Sequence, residues 1–409
     1  NNLAGLYYIQ GNYAKAEPLF KRSLAILEKA LGPDHPNVAT NLNNLAGLYQ
    51  IQAEYAKAAT LFKRSLTIKE KDLGRHHPDV AISLNNLASL YESQGAYAKA
   101  ETLYKRSLAI LEKALGPDHR DVCVSLSNLA ELYRTQGEYG KAESLYKRSL
   151  GILEKALGPV HPEVAVCLNN LAELYRTQGY YAKAEPLYKR SRAISEKAFG
   201  PDHPDVASSL DNLADLYTAK GDYAKAETLY KRSLEIFEKT LGPDHQSVAN
   251  SLDSMARLYH TQDNYVKAEP LYKQSLIILE KALGPDHPDV AKSLDKLAWL
   301  YETKGDYGKA SPLYRRSLTI FEKTYGPNHP HVATSLNNLA QLHITLGDYA
   351  KAESLYKRSL AIFEKALGPD HPHVATNLEN LAELYKATER VNDAEKLKAR
   401  AKKIRKSKR

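Results

Sequence analysis

Residues 36–77 are PNVATNLNNLAGLYQIQAEYAKAATLFKRSLTIKEKDLGRHH, and this stretch decides the fold. Its first half places Leu42, Leu45, Ala46 and Tyr49 at i, i+3, i+4 and i+7, which is the spacing of one helix face. The second half repeats that spacing from Ala58 onward. The stretch therefore predicts two amphipathic helices joined by a short turn.

The first helix, A, is predicted from about Asn37 to Gln52, and the second, B, from about Tyr55 to Leu73. The link to the next unit begins with Gly-Pro, a pair that predicts a left-handed helix end, because glycine accepts that conformation and proline cannot continue the helix. A second proline follows a histidine and fits the first turn of the next helix A, where the missing N–H costs nothing.

The same unit recurs every 42 residues without insertion or deletion along the 409-residue chain. An alanine repeats at this interval from Ala4 to Ala382, for example. When each unit begins at the proline after the link histidine, the sequence predicts a single repeat array. It has an incomplete first unit at 1–35, eight full units at 36–371, and a last repeat with a basic cap at 372–409.

The net charge of +9 comes from the end of the chain. Residues 396–409 hold nine Lys or Arg and no acid, so the rest of the chain sums to zero and bulk charge does not indicate a polyanion partner. This basic tail is either a solvated helical cap or a segment that binds nucleic acid. Two cysteines cannot build a disulfide framework, which favours a reducing, cytoplasmic location. No apolar run reaches the roughly 18 residues of a transmembrane helix, so no membrane contact is expected.

The spacing Leu-x2-Leu-Ala-x2-Tyr, followed by Ala-x3-Phe or Tyr, resembles the tetratricopeptide repeat. The 42-residue form with Leu-Gly-Pro-Asp-His-Pro links resembles the cargo-binding region of kinesin light chains and similar bacterial arrays, over essentially the whole chain. The resemblance implies an all-α, right-handed α-solenoid of about ten antiparallel helix pairs, whose A helices line a concave groove. It implies a non-catalytic protein-protein interaction scaffold that binds extended peptide segments of partner proteins. An alternative is the ligand-sensing C-terminal arm of a larger signalling ATPase, since bacterial arrays of this kind often follow a nucleotide-binding domain.

One polar position of helix A is almost uniform between repeats. It is occupied by Asn2, Asn44, Asn86, Asn128, Asn170, Asn212, Asn338 and Asn380. An amide can both donate to and accept from the backbone of a peptide of any sequence, and in resembling families this asparagine lines the groove and holds the bound chain. The other interpretation is a ladder in which the amides bond one another between adjacent A helices.

The seventh and eighth units carry a different group of residues at groove positions: Arg257, His260, Lys292, Lys296 and the only tryptophan, Trp299. Cations beside a large aromatic ring suit an acidic ligand with an apolar anchor. The alternative is an exposed tryptophan beside lysines that nearby aspartates neutralise.

The fourteen histidines do not predict a metal site or catalysis. Nine of them occupy the link, one unit apart and hence roughly 10 Å from each other, whereas zinc needs several ligands within about 2.3 Å of one point. No nucleotide loop, nucleophile elbow or clustered carboxylate motif is present in the sequence. We therefore expect no cofactor, no metal and no enzymatic activity.

Overall fold

A computed structural model describes residues 2–9 and 13–407, and in these residues it contains twenty helices and no strand. The A helices are α1 Asn2–Ile9, α3 Pro36–Ile51, α5 Pro78–Ser93, α7 Val122–Thr135, α9 Pro162–Thr177, α11 Pro204–Lys220, α13 Gln246–Thr261, α15 Pro288–Thr303, α17 Pro330–Thr345 and α19 Pro372–Ala387. The B helices are α2 Tyr13–Leu31, α4 Tyr55–Leu73, α6 Tyr97–Leu115, α8 Tyr139–Leu157, α10 Tyr181–Phe199, α12 Tyr223–Leu241, α14 Tyr265–Leu283, α16 Tyr307–Tyr325, α18 Tyr349–Leu367 and α20 Val391–Ser407. The all-α fold and the predicted pairs of helices are confirmed. Lys408 and Arg409 of the basic tail lie outside the described residues.

Proximity of Cα atoms divides the chain into two compact units. The first comprises Asn1–Arg134 and Gly140–Ser254, and the second comprises Thr135–Tyr139 and Met255–Arg409. In the first unit, consecutive helices pack on each other from α3 to α6 and again from α9 to α12. In the second unit they do so from α14 to α20. The single array over 1–409 stays a prediction.

The link histidines cap the A helices. At the start of α5, the ring Nδ1 of His77 accepts a hydrogen bond from the backbone N–H of Asp79 at 3.1 Å, and Pro78 takes the first helical position. The same bond recurs in all nine links, at 3.0 to 3.3 Å. An unpaired N–H at the beginning of each helix is thereby satisfied, in the way that Ser or Asp usually does it. Each His-Pro pair is thus a helix start signal.

The B helices end at the link glycine in a conformation that the sequence did not predict. Gly116 ends α6 at φ 95° and ψ 153°, so the prediction of a left-handed helix end is wrong at this position. This region of backbone space is essentially reserved for glycine. The left-handed end occurs instead in the turn after helix A, where Gly221 has φ 80° and ψ 9°.

Buried serines attach several B helices to the A helix of the same repeat. The Oγ of Ser65 donates to the carbonyl oxygen of Ala39 at 2.8 Å, and neither residue is exposed. Equivalent bonds join Ser107 to Ala81, Ser191 to Ala165, and Ser359 to Ala333. In these repeats a spare lone pair of a helix carbonyl satisfies the buried hydroxyl. The equivalent hydroxyls of Ser233, Ser275 and Ser317 are buried without such a partner.

Candidate functional site

The surface that remains outside this core on the A helices is called here the A-helix face. It consists of the residues at positions equivalent to Thr40, Asn44, Gly47 and Gln50 in successive A helices. Side chains of neighbouring repeats touch on this face, since Gln50 Nε2 donates to Ser89 Oγ at 3.2 Å. A ligand lying across the repeats would therefore meet an almost continuous row of side chains.

The asparagine position on this face is hydrogen-bonded at one place. Asn86 Nδ2 donates to Asn43 Oδ1 in the preceding A helix at 3.1 Å, and not to Asn44, so this bond is not a step of the predicted ladder. Within residues 2–9 and 13–407, the other amides at this position form no side-chain hydrogen bond and keep solvent access: Asn2, Asn44, Asn128, Asn170, Asn212, Asn338 and Asn380. Their donors and acceptors are available to a ligand.

Acidic side chains at the position of Gly47 in the fourth to sixth repeats are hydrogen-bonded to buried tyrosines of helix B. In the fifth repeat this position holds Glu173, which accepts a hydrogen bond from the buried hydroxyl of Tyr188 at 2.8 Å. Arg176 closes on the same carboxylate with two bonds, at 2.7 and 2.6 Å. Burial alone would raise the pKa of Glu173, but the hydrogen bond and charge of Arg176 hold it below its usual range. Glu131, Arg134 and Tyr146 repeat this arrangement one unit earlier.

A cleft of about 840 Å³ opens on the A-helix face of the first repeats. Gly5 and Gly47 leave it empty where later repeats carry larger side chains, and Phe20 and Phe62 lie at its base. Its other lining residues are asparagines, a glutamine, serines, a tyrosine and an isoleucine, so the part of the lining that the structure describes holds no charged side chain. This end of the face suits uncharged groups.

In the second unit, the rings of Trp299 and His260 are in contact at an interplanar angle of 38°. Their ring centroids are 3.7 Å apart, and Trp299 is 44% exposed whereas His260 is 3% exposed. His260 Nε2 lies 3.1 Å from Thr303 Oγ1, while its buried Nδ1 has no partner. Burial lowers the pKa of His260, which favours the neutral ring. The prediction that His260 belongs to an exposed basic rim is wrong, because Trp299 covers it.

The other predicted cations of this cluster do reach the surface to different extents. Lys292 is exposed and pairs with Asp289 at 2.9 Å. Arg257 and Lys296 are partly buried and interact with neighbouring groups. The charge that this cluster presents to a ligand is therefore smaller than the sequence suggested.

The described part of the basic tail is helix α20, packed against α19 through the buried Ala401 and Ile404. Arg405 Nε donates to Glu379 Oε1 at 2.7 Å, and Lys398 Nζ to Glu383 Oε1 at 2.5 Å. These ion pairs favour the helical-cap interpretation of the tail over a segment dedicated to nucleic acid.

Two searches for other kinds of site are negative over the residues that the structure describes. No group of three or more His, Cys, Asp or Glu side chains is placed to hold a metal ion there. Nor is any of the described helices long and apolar enough to cross a membrane.

Antiparallel helix pairs that stack in a fixed register, with one variable face on the A helices, define a helical-repeat interaction protein. The model of the tetratricopeptide repeat family matches residues 1–71, 66–113, 79–155, 121–197, 164–239, 211–281, 247–323, 304–365 and 333–407. The chain belongs to the tetratricopeptide repeat family. A comparison with curated proteins gives no match.

Solved structures similar to the chain include helical-repeat proteins of several kinds. A putative kinesin light chain with nearly identical TPR-like repeats from Podosopora anserina is 29% identical, with a TM-score of 0.42 over 50% of this chain and 97% of that chain. A Rap protein complexed with Competence and Sporulation Factor is 16% identical, with a TM-score of 0.60 over 90% of this chain and 98% of that chain. Human IFIT1, solved as a dimer with PPP-AAAA, is 14% identical, with a TM-score of 0.52 over 98% of this chain and 89% of that chain. The last two show the fold that the sequence predicted.

Proposed function

We propose that the chain is a non-catalytic interaction scaffold whose A-helix face binds an extended peptide segment of a partner protein. The tetratricopeptide repeat family and the stacked helix pairs support the scaffold itself. The observation that carries the peptide-binding proposal is the row of amides at Asn128, Asn170 and Asn212 in three consecutive repeats. Each amide is partly exposed and unengaged, and could hold the backbone of a segment that crosses the repeats.

The relatives are consistent with this proposal without deciding it. The Rap structure, with the same fold over 90% of this chain, is a complex with Competence and Sporulation Factor. In the present chain, the corresponding ligand is a peptide segment, because the unengaged groups are amides that match a main chain.

The test begins with peptides selected from a random displayed library against the full chain. Their affinity is then measured for a variant with Asn128→Ser, Asn170→Ser and Asn212→Ser. Serine already stands at this position in the seventh repeat, at Ser254, so the variant should fold. Loss of three hydrogen bonds at about 1 kcal/mol each predicts a weakening of roughly a hundredfold.

A matched control changes two exposed threonines on B helices, Thr102→Ala and Thr228→Ala. This variant should bind the selected peptides like the wild type. If the serine variant also binds them like the wild type, the amides do not hold the ligand. If the library yields no binder of the wild type, the peptide-binding proposal itself fails.

In the second unit, the proposal assigns an acidic peptide with an apolar anchor to the surface around Trp299, with Lys292, Lys296 and Arg257 as the cations. The half-exposed indole supports this assignment, and His260 takes part only as the ring beneath it. Because Trp299 is the only tryptophan, an acidic peptide that binds there should shift the intrinsic emission of the chain. An unchanged emission at saturating peptide would remove this surface from the proposal.

A further inference from the structure

Three aliphatic side chains stand exposed at one position of successive A helices. Ile82, Val124 and Val166 are 51%, 59% and 60% exposed, and they occupy the position of Thr40 in α5, α7 and α9. The next repeat has Ser208 there, so polar residues bound the row on both sides. Single exposed aliphatic residues are ordinary, but three in register on the face that carries the unengaged amides form a patch. These three residues are called the aliphatic row.

An acidic border runs along one side of the aliphatic row. Three residues before each member stand Asp79, Asp121 and Glu163. Asp79 and Glu163 lie in the first turn of α5 and α9, on the same side as Ile82 and Val166, and Asp121 directly precedes α7. Arg120 approaches two of these carboxylates, with Nε 3.6 Å from Asp121 and Nη2 3.2 Å from Glu163. Lys69 lies beside the third acid, with its Nζ 3.4 Å from the carbonyl oxygen of Asp79. Two cations against three acids leave the border with one net negative charge, which complements a basic ligand.

The amides lie on the other side of the row, one helical turn further on. Asn86, Asn128 and Asn170 each follow a member of the row by four residues. From the acidic border to the amides, the face thus offers charge, apolar contact and backbone hydrogen bonds in that order.

The spacing of the row selects the conformation of the ligand. Side chains of α5 and α7 are in contact, since Asn85 Nδ2 donates to Ser125 Oγ at 2.8 Å, and packed helices lie about 8–10 Å apart. A polyproline II helix rises about 3.1 Å per residue with three residues per turn, so every third side chain points the same way at an interval of about 9 Å. A β-strand repeats its side every second residue, at about 6.6 Å, which does not match.

We propose that the aliphatic row binds a partner segment in the polyproline II conformation that carries an aliphatic residue at every third position and basic residues between them. The aliphatic side chains contact Ile82, Val124 and Val166, and the basic ones face the acidic border. Polyproline II has no internal hydrogen bonds, so its backbone groups are available to Asn128 and Asn170. This inference rests on the proposed function and names the class of ligand for the first unit.

The test uses a fluorescein-labelled peptide of three Leu-Pro-Lys triplets and measures its fluorescence anisotropy with the full chain. A second peptide has glutamate in place of lysine, and a third has the same composition with the three leucines adjacent. The wild type should bind the first peptide at least about tenfold more tightly than either of the others.

The protein variant carries Ile82→Thr, Val124→Thr and Val166→Thr. Threonine stands at this position in other repeats, at Thr40 for example, so the variant should keep its fold. Its affinity for the Leu-Pro-Lys peptide should fall about tenfold or more. The matched control is Val160→Thr, which alters a link valine that is 56% exposed and outside the row; it should bind like the wild type.

The outcomes separate this inference from the function on which it rests. If the Leu-Pro-Lys peptide binds the threonine variant and the wild type equally, or does not bind either, the aliphatic row is not its site and the inference is overturned. If library-selected peptides bind the Asn→Ser variant more weakly than the wild type but bind the threonine variant with unchanged affinity, the proposed function stands without the inference. If their affinity for both variants equals that for the wild type, the proposed function and the inference both fail.

Discussion

Replacing a link histidine by alanine should loosen the start of one A helix. His161 Nδ1 accepts the backbone N–H of Glu163 at 3.2 Å, and Pro162 occupies the first helical position. His161→Ala leaves that N–H without a side-chain partner, and loss of an N-cap costs about 1 kcal/mol. At 25 °C this corresponds to about a fivefold larger population of the locally open state of α9.

The assay should be local, because the repeats of a solenoid contact only their neighbours and can open separately. Amide hydrogen exchange across the first two turns of α9 measures the opening, and α19 in the same sample serves as the internal reference. His161→Asn is the matched control, since an asparagine side chain at this position also accepts the N–H. Its protection should stay within a few tenths of a kcal/mol of the wild type.

Acidification should act like the alanine substitution. Nδ1 accepts a hydrogen bond only while it carries no proton, and for the cap at His245 burial lowers the pKa from its usual value near 6.5. With the folded pKa below the unfolded one, the stabilisation is complete above about pH 6.5 and is lost as pH falls through the folded pKa. The protection of α13, which His245 caps, should therefore decline below that pH relative to a His245→Asn variant.

Two results would refute this account of the links. One is equal protection of α9 in the alanine and asparagine variants, which would mean that the acceptor contributes nothing. The other is a wild-type protection of α13 that follows the His245→Asn variant from neutral to acidic pH, which would mean that protonation leaves the cap intact.

Three further predictions concern the second unit. Glu302→Leu should lower the free energy of unfolding by about 1 to 3 kcal/mol, because it leaves the buried hydroxyl of Tyr314 without its acceptor at 2.8 Å. In a denaturant titration, the double variant with Tyr314→Phe should regain most of this loss. Trp299 emission should fall on acidification with a midpoint below pH 6.5, because burial lowers the pKa of the neighbouring His260 and its protonated ring quenches indole fluorescence. The His260→Gln variant should show no change of emission over the same pH range. A midpoint above pH 6.5 would contradict the burial argument. Burial raises the pKa of Asp295 to about 7, so ionisation of this acid lowers the free energy of unfolding as pH rises from about 4 to 7. Asp295→Asn should abolish this pH dependence and stabilise the chain at pH 8 by on the order of 4 kcal/mol. An unchanged pH profile of unfolding would show the carboxyl to be solvated.

The fold could be predicted because one pattern is repeated about ten times. A spacing of i, i+3, i+4 and i+7 in every unit leaves no competing periodicity, and both helices of the second repeat begin and end within one residue of their predicted bounds. The role of the link histidines was missed although its signal was present. A histidine before a proline at a helix start has the place of an N-cap, and its Nδ1 can accept a hydrogen bond as an Asp oxygen does.

The candidate site could be predicted only as a set of positions. The position of Asn44 was found because nearly every repeat has an asparagine there. Whether such an amide bonds its neighbour depends on side-chain geometry, as Asn86 shows. The burial of His260 follows from Trp299, which lies one repeat further along the chain and closes over it. Contacts between repeats of this kind are not visible in the spacing within one unit.

The variation at the position of Gly47 is constrained by the core, which limits what this position can contribute to specificity. Where it holds Gly47, the aromatic residue of helix B is Phe62, which needs no acceptor. Where it holds an acid in the fourth to sixth repeats, the aromatic residue is a tyrosine bonded to that acid, and in the last repeat Glu383 pairs with Lys398 instead. At Trp299 the acceptor is lost, and Tyr314 bonds Glu302 instead, one turn later on the same helix. A substitution at this position therefore changes the free energy of unfolding as well as the surface. The side chains of Ile82, Val124 and Val166 at the position of Thr40 are more than half exposed, so specificity for a ligand can change there at little cost in stability.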